Sequence, residues 1–174
     1  MAVFQLQLFE RVSKLFRRRS LRRPKAKTNR VIVKTSDQML KSIWCELRLE
    51  FFPEQPEIDD YVVFWSSRRQ KRVLACCHIQ RRQVRVAKEL RYSEYTNWLS
   101  PLLYHEMCHA ALGTNVPRER GKRAWHGREF KRLVVRHKET HAMEAWIKSG
   151  GWLHAVRSDR AKDTAKKKRS ERWA

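Results

Sequence analysis

The chain has 174 residues, of which 41% are hydrophobic, and it carries a formal net charge of +22. This length predicts one compact domain with tails, and the hydrophobic fraction is large enough for a core. No stretch approaches the roughly 18 uninterrupted apolar residues of a membrane-spanning helix, which argues against an integral membrane protein. Charged residues interrupt the N-terminal apolar run and the four cysteines show no CxxC spacing. We therefore expect no secretory signal, reduced thiols and a cytoplasmic location.

Residues 1–34 form a basic arm. They contain 11 Lys or Arg and one acidic residue, and the apolar residues between Phe4 and Phe16 recur on one helical stripe. This amphipathic helix could pack on the domain or bind a partner. A membrane-surface helix is less favoured, because nothing else in the chain points to lipid. A basic linker follows the helix, and residues 30–34 are predicted to form a short strand.

Residues 35–156 are predicted to form the folded domain, which begins with a helix and a small sheet. A capped helix is predicted at 38–52, and two prolines follow it. Residues 61–65 form an apolar run typical of a buried strand. Residues 73–80 and 83–87 alternate in period two on either side of an Arg-Arg turn. These segments predict an antiparallel sheet of about three strands, with the second and third paired as a hairpin.

Three helices complete the domain and give an α+β fold class. The first is predicted from Thr96 to Leu112, with Gly113 as its stop. A basic loop follows at 114–125, and the other two helices are predicted at 126–138 and 141–148.

Most of the positive charge lies at the two ends of the chain. Residues 157–174 contain eight Lys or Arg and three acidic residues and are expected to form a disordered basic tail, so that this tail and the arm hold 15 of the 22 net charges. Such segments attract polyanions, although they could also serve only to keep the protein in solution. We predict DNA or another nucleic acid as a partner, and no membrane. The candidate contacts are basic residues of the arm, the loop and the tail: Arg17, Arg18, Arg19, Arg22, Arg23, Arg118, Arg120, Lys122, Arg123, Lys166, Lys167, Lys168 and Arg169.

An HExxH pattern, His105-Glu106-Met107-Cys108-His109, lies within the predicted 96–112 helix. Histidines four residues apart lie one turn apart on the same helix face, so both imidazoles can bind one metal ion. Glu106, next to the first histidine, can hydrogen-bond a water at that ion. The alternative is an ordinary helix with two hydrogen-bonded histidines. Apolar residues surround the motif, however, and a buried glutamate between two histidines needs partners.

A catalytic zinc ion needs a third protein ligand and an open position. The metzincin pattern is excluded, because Leu112 and Asn115 stand where HExxHxxGxxH requires Gly and His. His126 stands out among the later residues, because the HGREF sequence that it begins allows close backbone approach at the glycine and core anchoring by the phenylalanine. Glu129 is the rival, and spacing alone leaves this choice open. The remaining candidates are Glu119, His137, Glu139, His141 and Glu144.

The HExxH motif followed by an HGxxF motif at 126–130 resembles the SprT-like zinc metallopeptidase family, which includes the Spartan-type proteases acting on DNA–protein crosslinks. The likeness extends over about residues 36–150, from the capped helix through the strand hairpin to the later helices. In one respect the chain departs from the pattern. Many bacterial relatives carry a C-terminal zinc ribbon with four cysteines, and here a Lys/Arg tail stands in its place.

The resemblance implies a minimal zincin-like metallopeptidase domain with Zn²⁺ as its cofactor. It implies His105, His109 and His126 as zinc ligands and Glu106 as the catalytic acid/base, and in this way selects His126 over Glu129. It also implies that a protein substrate lies extended along an edge strand, here from the 73–87 hairpin.

We therefore predict a zinc-dependent metallopeptidase that hydrolyses peptide bonds with a zinc-activated water and Glu106 as general base, on proteins bound or crosslinked to DNA. One alternative is a nucleic-acid-binding protein with a structural or inactive zinc site. Another is a general cytosolic zinc peptidase without a nucleic-acid role. Glu106 discriminates against the structural site, which has no need of a carboxylate that is not a ligand. If its substrates are bound to DNA, this cytoplasmic protein is expected to associate with DNA.

Overall fold

A computed structural model describes residues 37–114, 116, 118–119 and 122–173 of the protein. These residues form five α-helices and two small sheets, which confirms the predicted α+β class. The basic arm with its amphipathic helix, and the strand predicted at 30–34, lie outside the described residues. None of the described helices is long and apolar enough to cross a membrane. In chain order the elements are α1 (Asp37–Phe51), β1 (Val62–Trp65), β2 (Ala75–His78), β3 (Gln83–Val86), α2 (Leu99–Leu112), β4 (Arg118–Glu119), β5 (Lys122–Arg123), α3 (Arg128–Val134), α4 (Thr140–Lys148) and α5 (Gly151–Glu171).

The three-stranded sheet is mixed and has the strand order β1-β3-β2. β2 and β3 pair antiparallel, with Cys77 opposite Val84, which confirms the predicted hairpin. β1 pairs parallel with β3, with Val63 opposite Val84, so the prediction of a wholly antiparallel sheet is wrong. Alternation along a strand reports which face is buried but not which neighbour it pairs with. The connection at 66–74 carries the chain past β3 and leaves β2 at an edge of the sheet.

α1 supplies one wall of the core. Its Leu40, Trp44 and Leu47 are buried at helical spacing, and the helix packs against α2 and β1. The indole Nε1 of Trp44 donates a hydrogen bond to the carbonyl oxygen of Ile58 at 2.9 Å. This bond satisfies the one polar atom of the side chain inside the core, where an unpaired donor would be costly.

α2 is the central helix of the domain. Nine of its 14 residues are buried, and it packs against α1, β2 and α3. It begins at Leu99, after a 3-10 turn at Ser93–Trp98 that covers the first part of the predicted helix. It ends as predicted at Gly113, whose φ of +55° favours glycine. The helix therefore carries the HExxH residues through the middle of the core.

The prediction that residues 157–174 are disordered is wrong for 157–171, which continue α5. The helix packs against α4 and against the turn at 88–90. Its buried face consists of Trp152, Ala155, Val156 and Asp159. The prediction of disorder considered only the repulsion between the many basic side chains. Packing of the buried face of α5 against the domain stabilises the helix against this repulsion.

Asp159 fixes the middle of α5 to the domain. Its carboxylate is fully buried and accepts a hydrogen bond from the Tyr92 hydroxyl at 3.0 Å. The guanidinium groups of Arg91 and Arg69 lie 3.7 and 3.8 Å from it, and Arg69 also pairs with Asp163. A buried carboxylate needs such partners, and they are far away in the sequence.

The segment between α2 and α3 differs from the predicted basic loop. Its described part contains a short antiparallel pair, β4 with β5, in which Arg118 lies opposite Arg123. α3 is shorter than the helix predicted at 126–138, because the chain turns after Val134. The Thr140 hydroxyl donates to the carbonyl oxygen of Val134 at 2.7 Å. This bond closes the end of α3 and places the start of α4 within one residue of its predicted position.

Candidate metal centre

α2 places His105 and His109 one turn apart on the same face, with ring centroids 5.2 Å apart. His109 is buried, whereas His105 keeps part of its surface accessible. The pair therefore has one side in the core and one side open. This is the arrangement that the four-residue spacing predicts.

His126 reaches the same point from the turn before α3. That turn is closed by a hydrogen bond from the Gly127 amide to the carbonyl oxygen of Ala124, at 2.8 Å. The His126 ring centroid lies 5.4 Å from that of His105 and 5.1 Å from that of His109. Donor atoms of the three imidazoles all lie within 4.8 Å of one another. Three nitrogen donors around one point suit Zn²⁺, so the chemistry of the donor set fits this metal.

Phe130 lies against all three imidazoles. Its ring centroid is 4.9 Å from that of His105, 4.3 Å from that of His109 and 4.6 Å from that of His126. The residue is buried on the inner face of α3. Phe130 therefore restricts the orientation of the three rings, beyond the core anchoring that the sequence indicated.

Glu106 is buried beside the three histidines, at 6% exposure. Burial raises the pKa of Glu106 to about 8, and a hydrogen bond from the main-chain N–H of Cys77 acts in the opposite direction. Cys77 lies in β2, so this bond connects the HExxH helix to the edge strand of the sheet. A cation at the histidines would favour the ionised carboxylate and lower this pKa.

The three imidazoles are held in the neutral form that binds metal. Burial lowers the pKa of His105 to about 3 and that of His126 to about 4. The pKa of His109 lies well below its usual value for the same reason, and the two neighbouring rings add to the effect. Neutral imidazoles can donate a lone pair to a metal without first losing a proton.

Other sequence candidates lie outside this group. Glu129 is exposed and is not among the three converging residues. His137, another of the ligand candidates from the sequence, is buried but is not among the three converging residues. Its Nε2 lies 3.0 Å from the Ser100 hydroxyl, and its Nδ1 accepts the Glu139 amide N–H at 3.2 Å. His137 is therefore engaged in holding the end of α3 against α2.

Tyr104 is a residue whose role the sequence did not reveal. Its hydroxyl donates to the carbonyl oxygen of Leu133 at 2.7 Å and so ties α2 to α3. Because His126 precedes α3, this bond contributes to the position of the third histidine. The acceptor is a main-chain atom 29 residues away, so no local pattern could have identified it.

The predicted nucleic-acid contacts fall into three groups. Four are exposed on α5: Lys166, Lys167, Lys168 and Arg169. Three lie in the β4–β5 pair: Arg118, Lys122 and Arg123, of which Arg123 is exposed and has its guanidinium 5.6 Å from the Trp125 ring centroid. The other six lie outside the described residues: Arg17, Arg18, Arg19, Arg22, Arg23 and Arg120.

An α+β domain whose central helix carries two histidines and a buried glutamate, with a third histidine converging from the next turn, has the organisation of a metallopeptidase-type domain. A family model described as the SprT-like family matches residues 40–149. The chain belongs to the SprT-like family. No curated protein and no solved structure matches the chain.

Proposed function

We propose that the protein is a zinc-dependent peptidase whose ligands are His105, His109 and His126 and whose general base is Glu106. The buried position of Glu106 beside the three histidines carries this proposal. A structural metal site would not need this carboxylate, and its burial raises the free energy of its charged form. Hydrolysis of a peptide bond by a metal-activated water, in contrast, requires a general base beside the metal, where Glu106 lies.

Zn²⁺ bound at the three histidines would lower the pKa of a water molecule and polarise the carbonyl of the scissile bond. Glu106 then accepts the proton of the attacking water and passes it to the leaving amine. Glu106, whose burial favours the neutral carboxyl, would be ionised at neutral pH with a cation bound at the histidines. Phe130 holds the imidazole rings, and the open side at His105 and His126 leaves room for substrate.

The edge strand β2 supports extended binding of the substrate. β2 is paired on one side only, with β3, and the Cys77 hydrogen bond places its edge at Glu106. A peptide added along this edge would pair main chain to main chain, and this pairing by itself depends little on the side chains. Weak sequence selectivity suits a peptidase whose targets are selected by their location.

The exposed basic residues of α5 support the proposal that the target proteins are located on DNA. α5 carries seven Lys or Arg in residues 157–171, and the run at 166–169 is exposed. Cations presented in this way bind phosphates without reading base sequence. We propose that the substrates are proteins bound or crosslinked to DNA, and that the enzyme works in the cytoplasm in association with DNA.

The test compares one protein substrate, free and covalently attached to a DNA duplex. The zinc-loaded protein should cleave the attached form faster, and both a chelator and Glu106→Gln should abolish cleavage while Glu106→Gln retains zinc. Glu129→Gln is the matched control, because it removes an exposed carboxylate near the site and should retain cleavage. Cleavage by zinc-loaded Glu106→Gln would refute the mechanism. Equal rates on the free and attached substrates would leave a general zinc peptidase without a DNA role.

A further inference from the structure

The outward face of α3 carries a basic stripe formed by Arg128, Lys131 and Arg132. These residues have the i, i+3, i+4 spacing that places them side by side on a helix, and all three are exposed. The opposite face of α3 is buried through Phe130 and Val134. No ion pair within the described residues involves any of the three cations. Like charges at this spacing repel one another, and a bound anion would relieve the repulsion.

A shallow groove of about 500 Å³ runs along this stripe and reaches the metal centre. It is lined by His126, Gly127, Arg128, Lys131, Arg132 and Val135. One of the three converging histidines is therefore also a wall of the groove. Only the His126 side chain separates a group bound in the groove from the point where the imidazoles meet.

We propose that this groove is a substrate subsite that selects an acidic side chain, Asp or Glu, next to the scissile bond. The proposal rests on the proposed peptidase function and adds a side-chain preference to it. A peptide bound with its scissile carbonyl at the histidines passes His126, so a neighbouring residue reaches the stripe. Its carboxylate accepts charge-assisted hydrogen bonds from Arg128, Lys131 or Arg132.

The dimensions of the stripe favour a peptide carboxylate over a nucleic acid. From position 128 to 134 the helix rises by about 9 Å, a length that accommodates one or two substrate side chains. Nucleic-acid binding by phosphate contacts draws on a larger set of cations, and α5 presents such a set elsewhere. A substrate subsite must be continuous with the metal centre, and the groove meets this requirement because His126 forms one of its walls. A phosphate-binding site has no such requirement.

The test uses peptides that differ only in one residue. A Glu is moved through the three positions on each side of a single cleavable bond, and each peptide has a Gln counterpart of nearly the same shape. At one position the Glu peptide should be cleaved with a kcat/KM about tenfold higher than its Gln counterpart. The Lys131→Glu/Arg132→Glu double variant should remove or invert this ratio. The control Lys41→Glu/Lys138→Glu changes the net charge equally, at exposed lysines outside the groove, and should keep the ratio.

Binding of the same peptides to zinc-loaded Glu106→Gln, measured by fluorescence anisotropy, separates this inference from the proposed function. If no peptide is cleaved but the Glu peptide binds better and loses that advantage with the double reversal, the peptidase proposal fails and the acidic subsite stands. Equal cleavage and equal binding of the Glu and Gln peptides would overturn the subsite alone. The subsite is also overturned if the double reversal weakens binding to a DNA duplex and leaves the Glu-to-Gln ratio unchanged.

Discussion

The ring of Phe130 lies stacked on the imidazole of His109, with centroids 4.3 Å apart and planes inclined by 19°. The same ring contacts His105 and His126. One aromatic side chain of α3 therefore positions donors that come from two separate segments of the chain. The HGxxF motif joins one of the three converging histidines to the residue that contacts all three rings.

Phe130→Ala is expected to lower the free energy of unfolding by about 3–5 kcal/mol, because a buried aromatic ring is lost. It should also weaken zinc binding by about 10- to 100-fold, because the rings lose the contact that orients them. Val134→Ala is the matched control, since Val134 is buried on the same face of α3 but is not among the ring contacts of the three histidines. Denaturant unfolding and zinc titration of both variants provide the measurement. If Phe130→Ala and Val134→Ala lose the same zinc affinity for each kcal/mol of stability lost, Phe130 contributes only to packing and does not orient the histidines.

His126→Ala should strip most of the zinc from the protein, because two imidazoles alone hold the ion weakly. Glu129→Ala should keep about one zinc per chain, because Glu129 is exposed and lies outside the converging group. Metal content after dialysis against a zinc buffer decides between them. The reverse pattern, with zinc lost in Glu129→Ala and kept in His126→Ala, would mean that the third ligand is Glu129.

The metal-free protein should lose stability as the pH falls below 6.5. The pKa values of His105 and His126 are about 3 and about 4 in the folded protein, against 6.5 for the ordinary side chain. Between these values the unfolded chain binds protons that the folded protein does not, so unfolding becomes easier as the pH decreases. Urea unfolding of the metal-free protein at pH 6.5, 5.5 and 4.5 should show this decline. A His105→Gln variant should show a shallower decline than the parent.

Glu106 should destabilise the metal-free protein in the opposite pH range. Its pKa of about 8 lies above the ordinary 4.5, so the folded protein holds a proton that the unfolded chain has released. The stabilisation conferred by the neutral carboxyl is therefore lost as the pH rises, by about 2 kcal/mol between pH 6.5 and 8. Glu106→Gln should remove most of this loss, and zinc should reduce it by favouring the carboxylate. An unchanged slope in Glu106→Gln would assign the titration to another group.

Neutralising α5 should weaken DNA binding through its dependence on salt. In Lys166→Gln/Lys167→Gln/Lys168→Gln, the slope of log K against log salt should flatten by close to one unit for each phosphate contact removed. The control, Lys41→Gln/Lys71→Gln/Lys138→Gln, removes three exposed cations outside α5 and should change the slope less. Salt titrations of duplex affinity supply the comparison. Equal flattening in both variants would mean that only the net charge matters.

Local patterns were sufficient to predict the elements around the site. The four-residue spacing of His105 and His109 places both rings on one face of any α-helix, whatever surrounds it. The apolar residues around them predicted burial, and α2 is the central helix. Period-two alternation likewise predicted the β2–β3 hairpin. Each of these inferences depends only on helix or strand geometry over a few residues.

The tertiary structure decided the features that depend on distant partners. Spacing left His126 and Glu129 open, and the choice between them depends on how α3 packs on α2, which involves Phe130 and the Tyr104 hydrogen bond. The parallel pairing of β1 with β3 depends on the path of a connection and not on alternation within the strand. Residues 157–171 continue a helix that is attached to the domain where Asp159 meets Tyr92, Arg91 and Arg69. The sequence by itself determined which residues could share a face, and only folding determined which faces meet, because contact energies between remote segments exist only once the chain has brought them together.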